Sequence, residues 1–136
     1  DLHDAFTCIH AALHKGGIIC FDCIDANTFI PSIAGGKKVL HTAVYANKKF
    51  LRESFWNINN SHSGAFDWHS VYYEEKENGE KVKMGEDDSV IRTFTKNEIT
   101  LLLSNAGFAV KEITDRASYA FDTFVVTAEK VRADID

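Results

Sequence analysis

Two cysteines stand three residues apart, Cys20 and Cys23, and three histidines, His3, His10 and His14, crowd the first fourteen positions. Both sets belong to residue types that ligate metals. A single C-x-x-C pair needs a second pair or histidines to close a zinc site. This one begins inside an apolar run that reads as a strand, where residues three apart point to opposite faces. We read these as buried, inert thiols. On a helix the three histidines fall within about 40° of one another, and an i, i+4 pair can chelate zinc. No cysteine or carboxylate completes that set at its spacing, and the stripe lies beside an apolar face, where solvated polar residues sit. We assign no metal.

Three other places could carry chemistry. Asp22 closes the run Ile18-Ile19-Cys20-Phe21. A carboxylate at the carboxyl end of a strand lies where open α/β sheets bind ligands. It faces a ligand there, or it caps the following loop. Aromatic residues gather from Tyr45 to Tyr73, with Phe66, Trp68 and Tyr72 on one strand face and Ser70 between them. That face is sheet core or, since small-ligand sites are aromatic with a few polar groups, part of a pocket. From this set we assign Trp68 and Tyr73 to a pocket. Arg92 either clamps a carboxylate or phosphate or pairs with Glu86, Asp87 or Asp88. No Ser-His-Asp order, Walker loop or EF-hand loop is present, and no catalytic residue is assigned.

The elements that position these residues follow from composition and periodicity. The chain has 136 residues, 45% hydrophobic and 26% charged, an ordinary single-domain composition. Its net charge of −5 lacks the basic footprint of a nucleic-acid binder. No apolar run approaches the ~20 residues of a membrane span. Three cysteines do not build a disulfide framework, so we expect a reducing cytoplasm. The chain opens Asp1-Leu2-His3-Asp4 with no initiator Met and no signal peptide, which suggests a trimmed start within a longer protein.

Leu2, Phe6, Ile9 and Leu13 make one face of a helix that stops at Lys15-Gly16-Gly17. The run 18–21 reads as a strand buried on both faces, typical of a parallel sheet. Pro31 and Gly35-Gly36 make 25–37 a loop. Segments 38–45, 50–58 and 65–74 read as antiparallel strands, with a turn at Asn47-Lys48-Lys49 and a hairpin at Asn78-Gly79. It leads to a strand near Val82, and 89–94 is another. Thr95 and Glu98 form a capping box ahead of a helix with Ile99, Leu102, Leu103 and Ala106 buried and Gly107 closing it. Strands over 108–114 and 121–130 precede a polar tail from Arg132.

This order resembles the C-terminal half of a class I S-adenosylmethionine-dependent methyltransferase. Leu13-His14-Lys15-Gly16-Gly17-Ile18-Ile19-Cys20-Phe21-Asp22 is similar to the family's leucine, two residues, Gly-Gly, apolar strand and Asp, although Lys15 stands where a Pro is common. Arg92-Thr93-Phe94-Thr95-Lys96-Asn97-Glu98-Ile99 and Ala106-Gly107-Phe108 resemble the entry to and exit from its last helix. Phe124 to Lys130 resembles its closing strand. The Gly-rich first loop and the acidic residue after the second strand have no counterpart. The long insert resembles the subgroup acting on small molecules, including amino-sugar N-methyltransferases and glycine N-methyltransferase-like enzymes.

The resemblance implies an α/β fold, α+β as an isolated fragment: half of a Rossmann-like sheet from 1–24 and 95–131, with an inserted antiparallel sheet at 25–94 covering substrate. It implies a methyltransferase taking S-adenosylmethionine as cofactor in the full-length protein, and Asp22, Trp68, Tyr73 and Arg92 as substrate-side residues. The implied partners are a small-molecule methyl acceptor and the missing N-terminal half. No residue here is assigned to the cofactor, and the fragment alone is expected to be inactive. An exposed edge of the 18–21 strand predicts a homodimer. The rival reading is a non-enzymatic α+β domain binding a small apolar ligand in a curved antiparallel sheet. It does not account for the continuous apolar strand after Gly-Gly.

Overall fold

A computed structural model describes residues 1–117 and 121–132. In chain order the elements are α1 (Leu2–Ala12), β1 (Ile18–Ile24), α2 (Ala26–Ser32), β2 (Lys37–Tyr45), β3 (Lys48–Ile58), β4 (Ala65–Glu75), β5 (Lys81–Arg92), α3 (Lys96–Asn105), β6 (Phe108–Ala117) and β7 (Asp122–Lys130). The chain forms two compact units, Asp1–Phe29 with Thr93–Asp136, and Ile30–Arg92.

The first unit is a three-stranded antiparallel sheet of order β1-β7-β6 with α1 and α3. In β7, Phe124, Val126 and Ala128 alternate onto one face and meet Phe6 of α1 and Ile99 and Leu103 of α3 in one core. Asp1 starts α1 by accepting the Asp4 amide at 3.0 Å. Thr95 and Glu98 form the expected capping box, with bonds of 3.1 and 2.8 Å. Gly107, at φ +94°, closes α3, a conformation that suits Gly. The Gly16-Gly17 turn works differently: α1 ends at Leu13 in an extended conformation, and Gly16 bends three residues later at φ +82°.

Strand β1 corrects the parallel, doubly covered expectation. It pairs antiparallel with β7, Ile18 opposite Glu129 through Ile24 opposite Thr123. Ile19, Phe21 and Cys23 pack toward the core, while Ile18, Cys20 and Asp22 are exposed. A helix crossover does make β1 and β6 point the same way, but β7 lies between them. An apolar run alone does not report which strand is its neighbour. The expected loop at 25–37 is also corrected. Asp25 accepts the Asn27 amide on its carboxylate at 3.0 Å and the Phe29 amide on its carbonyl at 2.8 Å, starting α2. Pro31 falls near the end of this helix of seven residues, and Phe29 is buried. At the chain's end Arg132 is not part of a free tail, since its guanidinium donates to the Asn105 carbonyl at 2.8 Å. The remainder of the expected tail, 133–136, lies outside the described residues.

The second unit is an antiparallel meander of order β2-β3-β4-β5. The β2–β3 turn is the pair Ala46-Asn47, at φ 49° and 59°, one residue earlier than expected. The Asn78-Gly79 hairpin forms as predicted, with Gly79 at φ +83° and the Lys76 amide on the Glu80 carbonyl at 2.8 Å. The two strands expected near 82 and over 89–94 are one strand, β5, whose pairing with β4 shifts between Tyr72 and Tyr73. The shift lets a single long strand run past what reads as a break.

Candidate functional site

Register decides which side chains of the second unit share a face. Trp56 stands opposite Trp68, Ser54 opposite Ser70, and Arg52 opposite Tyr72 on β4 and His41 on β2. Phe66, Trp68, Ser70 and Tyr72 therefore share a face, as the alternation predicted, with His41, Arg52, Ser54 and Trp56 beside them. One end is apolar and closed: Trp56 and Phe66 are buried, and the Trp56 ring meets Trp68 edge-on at 5.9 Å. The other end is polar. The Arg52 guanidinium lies 5.4 Å from the centre of the Trp68 ring, a cation–π contact. Its Nη2 is 3.4 Å from His41 Nδ1. Burial and the adjacent Arg52 charge lower the His41 pKa, which favours its neutral, accepting form.

Of the sequence-predicted residues, the three in the second unit do not share one face. Trp68 lies on the face just described. Tyr73, one residue beyond Tyr72 on β4, and Arg92, opposite Ala65, lie on the other face. Eight residues separate Ala65 from Tyr73, roughly 26 Å of strand. Arg92 is exposed at the end of β5. Of its proposed acidic partners, Asp88 accepts or pairs with His69 Nδ1 at 2.7 Å, and Glu86 lies 3.6 Å from His69 Nε2. Tyr73 joins Phe50, Leu51, Tyr72, Met84 and Gly85 around an open hollow of about 380 Å³. Asp22 belongs to the first unit and is exposed in mid-strand, opposite Val125, because β1 continues to Ile24. The capping role weighed for Asp22 is performed by Asp25.

Sequence reasoning missed His41, Arg52 and Ser54. The available signal was a single arginine inside the apolar segment 50–58, but only the register shows which neighbours it meets.

The thiols and histidines also differ from expectation. Cys8 and Cys20 are exposed, and only Cys23 is partly buried. Burial, helped by nearby Asp22, pushes the Cys23 thiol up to about 11. Cys20 accepts a long contact from Thr127 Oγ1 at 3.7 Å. His3 does meet carboxylates, since potential ligand atoms of Asp1, His3 and Asp4 lie within 4.8 Å of one another. All three are exposed, and Asp1 and Asp4 already serve the helix cap. His10 turns inward, edge-on to Phe108 at 5.3 Å. No helix among the described residues is long and apolar enough to cross a membrane.

No family model and no curated protein matches the chain. Solved structures do. An S-adenosylmethionine-dependent methyltransferase from Clostridium acetobutylicum superposes with a TM-score of 0.70 at 8% identity, over 96% of this chain and 51% of that one. A sugar N-methyltransferase from Streptoalloteichus gives 0.67 at 16%, over 96% and 49%. An amino pentose methyltransferase from Micromonospora echinaspora, solved with S-adenosylmethionine bound, gives 0.62 at 14%, over 93% and 50%. The chain thus spans about half the length of the structures it resembles, and its mixed α/β architecture of two antiparallel sheets matches the fold of about half of each of those methyltransferases.

Proposed function

We propose that this chain is the substrate-side half of an S-adenosylmethionine-dependent methyltransferase acting on a small molecule. The reading rests on the superposition of nearly the whole chain on half of a methyltransferase. The partly polar, partly aromatic face of the second unit supports it, since such faces suit small ligands. Asp22, Trp68, Tyr73 and Arg92 remain its candidate substrate-side residues. Trp68 now stands foremost because charged and polar groups surround it. The reaction in such enzymes moves a sulfonium methyl to a nucleophile. The sulfonium is a good leaving group, so the protein's task is alignment and exclusion of water. The antiparallel sheet would supply both by covering the acceptor. The other half of the fold would hold the cofactor, and the assembled enzyme would work in the cytoplasm.

The sequence holds no Gly-rich turn of the G-x-G-x-x-G kind to bring backbone amides to a ligand. This chain alone should therefore neither bind S-adenosylmethionine appreciably nor transfer methyl groups. Isothermal titration tests it directly. The expected result is no saturable heat below about millimolar ligand, a ceiling of roughly 4 kcal/mol of binding. A micromolar dissociation constant would overturn the half-fold reading.

A further inference from the structure

We propose that Arg52, with His41, Ser54 and Trp68 around it, forms an oxyanion site that takes the carboxylate or phosphate of a small molecule. Arg52 is half-buried, permanently charged and, among the described residues, without a counter-charge. Among the described residues its contacts are the Trp68 ring and the His41 imidazole, both uncharged acceptors. Three lysines of the same sheet differ: Lys38 meets Glu53 at 3.5 Å, Lys48 meets Glu74 at 4.0 Å and Lys49 meets Glu75 at 2.8 Å. An ion withdrawn from water without a partner is costly, so a folded chain that keeps one has left a place for an anion.

Two donors at this place have no hydrogen-bond partner among the described residues. Arg52 Nε is buried with no hydrogen-bond partner, and so is Oγ of Ser54, the next residue along that face. Ser54 is wholly buried and stands opposite Ser70, itself buried. In the register the Ser54–Ser70 pair lies between Arg52 and Trp68, whose side chains meet at 5.4 Å. The guanidinium therefore bridges a polar floor. Its planar fork offers two parallel donors matched to a carboxylate or phosphate, and stacking on Trp68 limits the orientations it samples. Asp87, opposite Ser70, and Glu74, which pairs with Lys48 and Lys76, are the acidic groups sharing this face. Neither pairs with Arg52.

The identification of this anion as part of a methyl acceptor rests on the function proposed above. The binding itself does not, and its test involves no cofactor. Trp56 and Trp68 are the chain's two tryptophans, so emission reports on this sheet alone. The chain is titrated with sodium acetate and with inorganic phosphate, ionic strength being held constant with chloride. A saturable change is expected with at least one anion, accompanied by a rise in melting temperature. Saturation by phosphate alone marks a phosphate ester as ligand, and saturation by acetate marks a carboxylate. Arg52→Gln should weaken that binding by about tenfold or more, and Arg52→Lys should recover part of it. No saturable response to either anion overturns the proposal, as does an Arg52→Gln protein that titrates like wild type. If Arg52→Gln fails to fold, Ser54→Ala replaces it, with weaker binding supporting the site and unchanged binding overturning it.

Discussion

Lys130 Nζ lies 2.7 Å from the His10 carbonyl oxygen and 2.8 Å from that of Leu13, donating to both. A lysine at 2% exposure thereby joins the last residue of β7 to the end of α1. Helix ends leave carbonyls without intrahelical partners, and a cation there also meets the negative end of the helix dipole. The ammonium answers a local need of α1 by reaching across the fold.

Lys130→Met removes the charge and the donors while keeping the apolar stem. It should cost about 2–3 kcal/mol, because two part-buried carbonyls lose a charged partner. Thermal or denaturant unfolding measures this. A loss below roughly 0.5 kcal/mol would mean that water replaces the ammonium at no cost.

The three thiols should separate by reactivity. Cys8 and Cys20 are exposed, whereas Cys23 has its pKa raised to about 11 from an ordinary 9.0 by burial and by Asp22. The thiolate is the reactive form. Iodoacetamide near pH 8 should add two labels quickly and the third only on unfolding, as read by mass spectrometry. The same shift gives a pH dependence. The neutral thiol is favoured in the fold, so its contribution is full below pH 9 and is lost as pH rises through about 11. Three equally fast labels would refute the burial of Cys23.

The legibility of the fold followed the range of its signals. The capping box at Thr95 and Glu98, the Asn78-Gly79 hairpin and the alternation of Phe66, Trp68 and Tyr72 are local patterns, and each formed. The neighbour of β1 is decided by residues about one hundred positions away in β7, and no local pattern announces it. Arg52 is legible as an arginine among apolar residues, but its place beside His41 depends on a turn at Ala46-Asn47 that local signals put one residue late. Tyr73 and Trp68 were grouped by residue type, and the period-two geometry of a strand sends them to opposite faces.

Ala46 holds φ at 49° in a two-residue turn with Asn47. A side chain pays roughly 1–2 kcal/mol in that region, and Gly does not. Ala46→Gly should leave the register intact and raise stability by about 0.5–1 kcal/mol, the relief being partly offset by added freedom in the unfolded chain. A lower melting temperature would show that the turn tolerates the methyl group without strain.

Strand β1 pairs along its length with β7; on its other edge only its last residue is met, the Ile24 carbonyl accepting the Phe94 amide at 3.1 Å, and Ile18 is 52% exposed. Unpaired strand edges recruit other chains. We therefore propose that the isolated chain self-associates through β1 or α1. Sedimentation should give a dimer at tens of micromolar. Replacing Ile18 by Lys at this edge should shift the population toward monomer. A single monomeric species at high concentration would count against the dimer.

Trp56 and Trp68 face one another at 5.9 Å but should respond differently to truncation. Trp56 is 2% exposed between β2 and β4, so Trp56→Ala leaves a cavity. The cost should be about 3–5 kcal/mol. Trp68 is only partly buried and is covered on one side by the Arg52 guanidinium. Trp68→Ala should cost clearly less, about 1–3 kcal/mol, since Arg52 can settle over the vacated space or turn to water. Trp68→Phe keeps a ring under the guanidinium and should cost less still, while weakening the cation–π contact. Equilibrium urea unfolding of the three variants ranks them. If Trp68→Ala were as damaging as Trp56→Ala, both rings would be core and the polar end of the face would have no free ring wall to offer a ligand. The expected order, with Trp68 the cheaper to lose, leaves a side chain that the fold does not need at full strength, next to a charge that the fold does not neutralise.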